Sequence, residues 1–274
     1  MSPASQEETN LLNLFQRVSG IGVVAAKKFV DKGYKSLEDL SNDPNLTHHQ
    51  CVGLKYVDEF EKEIPRDEME NLLAIVKKTL NEIDSRYNME ACGSFRRGAN
   101  ISGDLDIILT HPDFTEVEEK VVKRHKATTP LLAQAVQALE KYGFLTDFVS
   151  TGNVKYMGVC QFPGTDPRSN QPYLHRRIDL RFIPHENYYT GLLAWTGDDE
   201  LNRIMRSRAK ELGYTLNEYG LRRRIKTETE ETPGEKIPIN SEEDVFKKLG
   251  MPYMEPHERN LRGVVKKKYL MYEE

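Results

Sequence analysis

Two aspartates, Asp104 and Asp106, stand one residue apart in the run I-S-G-D-L-D-I-I-L, which otherwise reads as a buried strand. Side chains alternate faces along a strand, so both carboxylates project the same way. Two like charges so placed repel and resist burial unless something cationic lies between them. A divalent metal meets that need, and hard oxygen ligands favour Mg²⁺. Asp179, in the apolar run R-I-D-L-R-F, reads as a third carboxylate on a neighbouring strand. Three carboxylates on adjacent strands can hold two Mg²⁺ ions roughly 4 Å apart, the arrangement used for in-line phosphoryl transfer. A bare D-x-D fits an edge strand with a solvated polar face equally well. The turn upstream decides between them. Gly93 permits close backbone approach, and Ser94 with Arg96 or Arg97 supplies donors for a triphosphate.

The 274 residues, 38% hydrophobic and 30% charged, suffice for one large domain or a few small ones. No window approaches the roughly 18 uninterrupted apolar residues of a membrane span. Residues 1–10 lack the cationic-then-apolar pattern of a signal peptide. Cys51, Cys92 and Cys160 lie far apart with no CxxC spacing, which argues for a reducing, intracellular compartment. The net charge of -4 excludes no partner, because a nucleic-acid binder is basic only where it meets phosphate. Basic residues do cluster, at Lys27–Lys28, Arg96–Arg97, Arg176–Arg177, Arg222–Arg224 and Lys266–Lys268.

Pattern divides the chain into three parts. Residues 1–68 hold short apolar-periodic segments broken by glycine and N-D-P, which read as small helices. Residues 69–185 mix types. Met69, Leu72, Leu73, Val76, Leu80 and Ile83 form one amphipathic helix, with Asp67 and Glu68 suited to the dipole of its first turn. Pro130 opens another helix, closed by Gly143. Runs 105–109, 156–162 and 178–183 are β-rich. Residues 186–274 hold a helix around 199–212 and short strands. The expected fold class is α+β, with a mixed sheet backed by two helices between a helical and a small α/β subdomain. The charged insertion 116–129 reads as a surface loop.

Two motifs carry more specific chemistry. V-S-G-I-G from Val18, followed by A-A-K-K-F, resembles the helix-hairpin-helix of DNA-binding and repair proteins. Gly20 and Gly22 make a tight turn whose amides suit a phosphate oxygen. By that resemblance the carbonyls of Gln16, Val18 and Ile21 would hold a monovalent cation, Na⁺ or K⁺, against the DNA backbone. The order G-S, short spacer, G-D-x-D resembles the signature of the nucleotidyltransferase superfamily.

Taken together the motifs resemble the family X DNA polymerases, with DNA polymerase beta the nearest pattern. Matching segments are V-S-G-I-G, H-H-Q-x-x-G-L-K-Y, I-P-R-D-E-M, C-G-S-F-R-R-G, S-G-D-L-D, K-Y-M-G-V-C-Q, H-R-R-I-D-L-R, W-T-G and N-E-Y, in order. The resemblance implies a catalytic palm at 69–185 and a nucleotide-selection subdomain at 186–274. It implies that Asp104 and Asp106 bind both metals (Mg²⁺, with Mn²⁺ able to substitute). Asp179 would bind the catalytic metal and accept the primer 3'-hydroxyl proton. Arg66, Gly93, Ser94, Arg97, Ser102 and Gly103 would cradle the triphosphate. Ala194, Trp195, Gly197, Asp199 and Asn202 would border the incoming nucleotide. Lys155, Arg177, Arg181, Arg206 and Tyr219 would meet the DNA, as would Gly20 and Gly22. The implied partners are gapped or primer-template DNA and a dNTP, the implied state a monomer in the nucleus, and no membrane is involved.

Two departures stand out. DNA polymerase beta carries an amino-terminal lyase domain, but few residues precede the hairpin motif here, so no deoxyribose-phosphate lyase activity is expected of this chain. The DNA polymerase beta pattern places Tyr-Phe before T-G, whereas this chain has Ala194-Trp195. That pair reads either as a packing swap, Trp filling the volume vacated by Tyr, or as resembling terminal transferase and DNA polymerase mu, which accept ribonucleotides. The expectation is a template-directed gap-filling polymerase with relaxed sugar selection, since the turn at 151–153 is too short to stand in for template. The alternatives are a template-independent or ribonucleotide-adding transferase and, from another class, a non-catalytic DNA-binding module.

Overall fold

Each subdomain gathers its own apolar core. The computed structural model describes residues 3–126, 128–226 and 231–262. Helices α1 (Pro3–Gln16), α2 (Val23–Asp31), α3 (Leu37–Ser41), α4 (His48–Lys55) and α5 (Val57–Phe60) bury Phe15, Val18, Ile21, Ala26, Phe29 and Leu40 together. Helices this short do not persist alone, and two of them are held by reciprocal caps. Ser36 accepts from the Asp39 amide and Thr47 from the Gln50 amide, while the Asp39 and Gln50 side chains accept from the cap amides. Helix α4 lies against the hairpin through Gly53, where a Cβ would stand 2.1 Å from the Ser19 carbonyl oxygen.

The middle subdomain is built on a five-stranded mixed sheet. In chain order come β1 (Ile64–Pro65), α6 (Arg66–Ile83), β2 (Asn88–Ala91), α7 (Gly93–Arg96), β3 (Ile101–Ser102) and β4 (Leu105–Thr110). They are followed by α8 (Glu116–His125), α9 (Pro130–Lys141), β5 (Leu145–Thr151), β6 (Lys155–Gln161), the small hairpin β7 (Thr165–Asp166) and β8 (Gln171–Pro172), and β9 (His175–Phe182). The sheet order is β2-β4-β9-β6-β5, with β4 and β9 parallel and the other neighbours antiparallel. Leu105, Ile107 and Leu109 of β4 and Ile178, Leu180 and Phe182 of β9 turn to one face. There they meet Leu72, Val76 and Leu80 of α6 and Leu132, Ala135 and Leu139 of α9. Those are the two helices the sequence placed behind the sheet.

One detail adds to the sequence reading and another departs from it. Glu68 stands in the first turn of α6 as expected, and it is also buried, with Arg176 donating to both of its oxygens at 2.7 and 2.8 Å. The charged insertion is a helix over Glu116–His125 rather than a loop. Acids crowd its start and Lys123, Arg124 and His125 its end, which complements the helix dipole, and Lys123 pairs with Glu119 one turn back at 2.8 Å. A helix whose composition is dominated by charge reads as a loop in the sequence.

The last subdomain comprises α10 (Tyr188–Thr196), α11 (Asp199–Glu211), β10 (Tyr214–Asn217), β11 (Gly220–Lys226), β12 (Glu231–Ile237) and α12 (Glu242–Lys248). Leu201, Ile204, Met205, Val245, Phe246 and Leu249 form its core. A buried charge cluster ties it to the sheet. Glu242 accepts from Arg96 at 3.0 and 2.7 Å and from Arg259 at 2.6 Å. The basic cluster Lys266–Lys268 lies outside the described residues. Among the described residues no helix is long and apolar enough to cross a membrane.

Candidate active site

The alternation that builds the core also builds the site. Since Leu105, Ile107 and Leu109 face the helices, Asp104 and Asp106 face away from them. On β9 every second residue is buried, and Arg177, Asp179 and Arg181 occupy the other face. The parallel register sets Asp106 directly opposite Asp179. Two of the three carboxylates are thereby neighbours by backbone geometry alone.

Burial, then the charges of Asp104 and Asp179, push the Asp106 carboxyl up to about 7, against the pull of Arg177 and Lys155. Asp179 is raised too, by burial first, with Lys155 opposing. The two cations occupy the cluster's flanks. Arg177 donates to Asp104 in a short contact, and the Lys155 ammonium stands 3.7 Å from Asp179. With Asp104 turned onto Arg177, no three metal-ligating side chains among the described residues converge on one point. The chemistry of the donor set nevertheless fits a divalent cation. Three hard carboxylate oxygen donors, two of which, Asp106 and Asp179, hold their protons more tightly than usual, form a site short of positive charge. Asp104 must leave Arg177 to join the other two.

The glycine-serine turn is packed against these carboxylates. The Cys92 amide donates to the Asp106 carbonyl at 2.7 Å, and α7 begins at once. Gly93 has φ +56°, and a Cβ there would stand 2.6 Å from Asp106 Oδ2, so only glycine fits. Ser94 and Ser102 hydroxyls lie 3.1 Å apart, which brings Gly93, Ser94, Ser102 and Gly103 to one edge of the cluster. Arg66 stands behind the turn rather than in it. Its guanidinium stacks on Phe95 at 4.1 Å and donates to the Phe95 and Ala99 carbonyls at 3.1 and 3.0 Å. Arg97 reaches across to the last subdomain, donating to the Thr196 carbonyl at 2.7 Å and to Asn260 at 2.9 Å.

On that far side, Asn202 donates to the Ala194 carbonyl at 2.7 Å, and Asp199 is exposed at the start of α11. Ala194, Asn202 and Arg206 line one small cleft with Asn217. Trp195 packs over Cys92, Ile108 and Ile183, the apolar patch beside Asp106 on the carboxylate face. Arg181 lies between Trp195 and Tyr219, 5.9 and 5.8 Å from the ring centres, and donates to the Tyr219 hydroxyl. Gly197 has φ +73° and lies against Arg97. In the hairpin, Gly20 has φ +89° and abuts the His49 ring, and Gly22 caps α2 with no side chain in the way. The Val18 carbonyl accepts from the Ile21 amide at 3.0 Å, which closes the turn, and the Gln16 side chain bonds back to the Leu12 carbonyl. The hairpin opens toward the carboxylate face: Ser19, His49, Gly53, Arg177 and Asp179 line one crevice.

Sequence reasoning missed Asp198, Glu218, Glu242 and Arg259. Buried Asp198 accepts from the Leu201 amide at 2.9 Å with one oxygen and from the Leu261 and Arg262 amides at 2.6 and 2.9 Å with the other. Its position before an acidic helix start is the cap signal that could have found it. Glu242 and Arg259 carry no local signal, since their partner Arg96 lies far along the chain.

Known proteins are similar in sequence to this chain over most of its length. The family model for the DNA polymerase beta palm matches residues 63–185, that for the DNA polymerase beta thumb residues 191–260, and that for the fingers domain of DNA polymerase lambda residues 13–61. DNA polymerase lambda of Arabidopsis thaliana is 35% identical over 94% of this chain and 48% of its own length. That of Rattus norvegicus is 35% identical over 91% of this chain and 42% of its own. A DNA nucleotidylexotransferase of Xenopus laevis is 25% identical over 93% of this chain and 53% of its own. The chain spans about half the length of these relatives. With fingers, palm and thumb matched in turn along almost the whole chain, the chain belongs to the family X DNA polymerases.

Proposed function

We propose that this chain is a template-directed DNA polymerase that fills short gaps in DNA repair by two-metal phosphoryl transfer. The observation that carries the reading is the register of Asp106 opposite Asp179, with the Gly93–Ser94 turn packed on Asp106. Asp104 and Asp106 would hold both Mg²⁺ ions, with Asp179 joining at the one nearer the primer. When bound, the metals lower the pKa of the 3'-hydroxyl and neutralise charge on the transferred phosphoryl group. Asp179 accepts the hydroxyl proton. Ser94, Ser102, Gly103 and Arg97 take the triphosphate, Arg66 bracing their turn from behind. The hairpin amides at Gly20 and Gly22 hold the DNA backbone, with a monovalent cation at the Gln16, Val18 and Ile21 carbonyls. Lys155 and Arg177 lie along the primer path, while Arg206, Arg181 and Tyr219 flank the nascent pair.

Primer extension on one-nucleotide-gapped DNA tests the reading. Wild type extends with the templated nucleotide, and Asp179→Ala abolishes extension. Equal extension without template, or none by wild type, refutes it.

A second feature bears on sugar choice. Ala194 offers a methyl group where the DNA polymerase beta pattern has a tyrosine ring, and Trp195 is committed to packing over the Cys92 and Ile108 patch. Weakened discrimination against ribonucleotides follows. Single-turnover insertion of dCTP against CTP opposite template G measures it, and strong preference for dCTP in wild type refutes it. The turn after β5 stays tight, the Gly152 amide donating to the Lys155 carbonyl at 2.7 Å, which supports template dependence.

A further inference from the structure

Helix α8 does not lie idle on the surface. Its root is in the palm: Phe114 just before it is fully buried, and after it the Thr129 amide donates to the Asn153 carbonyl at 2.9 Å. Its side chains reach the thumb sheet at two points. Glu116 accepts from Lys236 of β12 and stands 3.5 Å from Arg222 of β11. One helical length away, the Lys123 ammonium lies over the Tyr219 ring, 4.4 Å from its centre. Tyr219 sits in the turn between β10 and β11 and takes the Arg181 hydrogen bond on its hydroxyl. The same turn is drawn to the palm again by Glu218, 3.7 Å from Arg181. Lys236 is a hub, bonded also to the Asn187 side chain at the palm-thumb junction.

We propose that α8 is a latch between palm and thumb, with Glu116 and Lys123 as positioning residues. They hold the β10–β11 turn, and so Tyr219 and Arg181, in place for the nascent base pair. Neither touches the carboxylates. Each contact is half-exposed and modest alone, but both act on one hairpin, adding to the Arg181 contacts that tie its turn to the palm. A site assembled for only part of the time binds its ligand more weakly in proportion, so the latch acts on nucleotide affinity rather than on chemistry. This kinetic consequence rests on the polymerase reading; the structural one does not.

The test uses the full chain with Glu116→Ala/Lys123→Ala, Lys123→Ala and Lys123→Arg. In the double variant, hydrogen exchange across residues 214–226 should quicken roughly fivefold while α6 and α9 stay as in wild type. On one-nucleotide-gapped DNA, KM for the dNTP should rise by about the same factor with kcat unchanged. Lys123→Arg, which keeps a cation over the ring, should retain the wild-type KM where Lys123→Ala does not. Unchanged exchange at 214–226, a fall in kcat at constant KM, or an arginine variant no better than the alanine one overturns the latch. Should wild type fail to extend any primer, the polymerase reading falls, and the exchange measurement alone decides the latch.

Discussion

Replacing Glu242 with glutamine removes one charge and almost no volume, yet its cost should be large. The Glu242 side chain is 7% exposed and lies between Arg96 and Arg259, whose side chains are 16% and 0% exposed. Three hydrogen bonds from two guanidiniums end on its oxygens. Glutamine can accept with one oxygen but presents an amide donor to the other guanidinium. Two buried cations then face each other without a counter-charge. Removing one partner of a buried pair typically costs about 3–5 kcal/mol, a large share of the roughly 5–15 kcal/mol by which domains are stable. Arg259→Met is the control. It leaves Arg96 and Glu242 bidentate, fills similar volume, and deletes an Nη2 that is buried without a hydrogen-bond partner among the described residues. It should cost less than Glu242→Gln. The linkage has a definite sign. Burial favours the protonated acid, but the two arginines outweigh it and hold the Glu242 carboxyl below the usual glutamate range. Its stabilisation is therefore complete above the unfolded glutamate value, about 4.3, and is lost as pH falls through the lower folded value. Urea unfolding at pH 7 and pH 4 measures both effects. A Glu242→Gln cost below about 1 kcal/mol, or one smaller than that of Arg259→Met, would refute the reasoning.

Other substitutions probe the site and its supports. Gly93→Ala places a Cβ 2.6 Å from Asp106 Oδ2 at φ +56°; gapped-primer extension should fall by about 10²-fold, with the thermal midpoint much less affected. Gly53→Ala drives a methyl group into the Ser19 carbonyl; the hairpin should shift off α4, with a stability loss of about 1–3 kcal/mol and weaker DNA binding by fluorescence anisotropy. Asp198→Ala strips the α11 cap and the acceptor of two further amides, and should cost about 2–3 kcal/mol by urea unfolding.

The parts of the site legible in the sequence were those whose chemistry is local. D-x-D on a strand requires a shared face, and G-S before it a tight turn, so these positions could be read without coordinates. Glu68 could not: a first-turn acid and a buried partner of Arg176 look identical until β9 is placed beside α6. Arg66 is tied to the triphosphate only by the family resemblance, and the fold sets it behind the glycine-rich turn, bonded to carbonyls. Helix α8 reads as a loop because its composition is dominated by charge. For Glu68 and Arg66 the origin is a long-range partner that decides what a polar residue is for.

Register joins stability to the carboxylate cluster in this sheet. Slipping β9 by one residue against β4 would break the pairing of Asp106 with Asp179, and turning the strand over would send both Asp179 and the apolar residues to the wrong faces. Ile178, Leu180 and Phe182 would then leave the helices for the open face, while Arg177 and Asp179 would enter a core lined by Leu72 and Leu139. The apolar side chains therefore enforce the placement of the carboxylates. The like-charge repulsion at the site is tolerated because the opposite face of the same two strands holds the register against it.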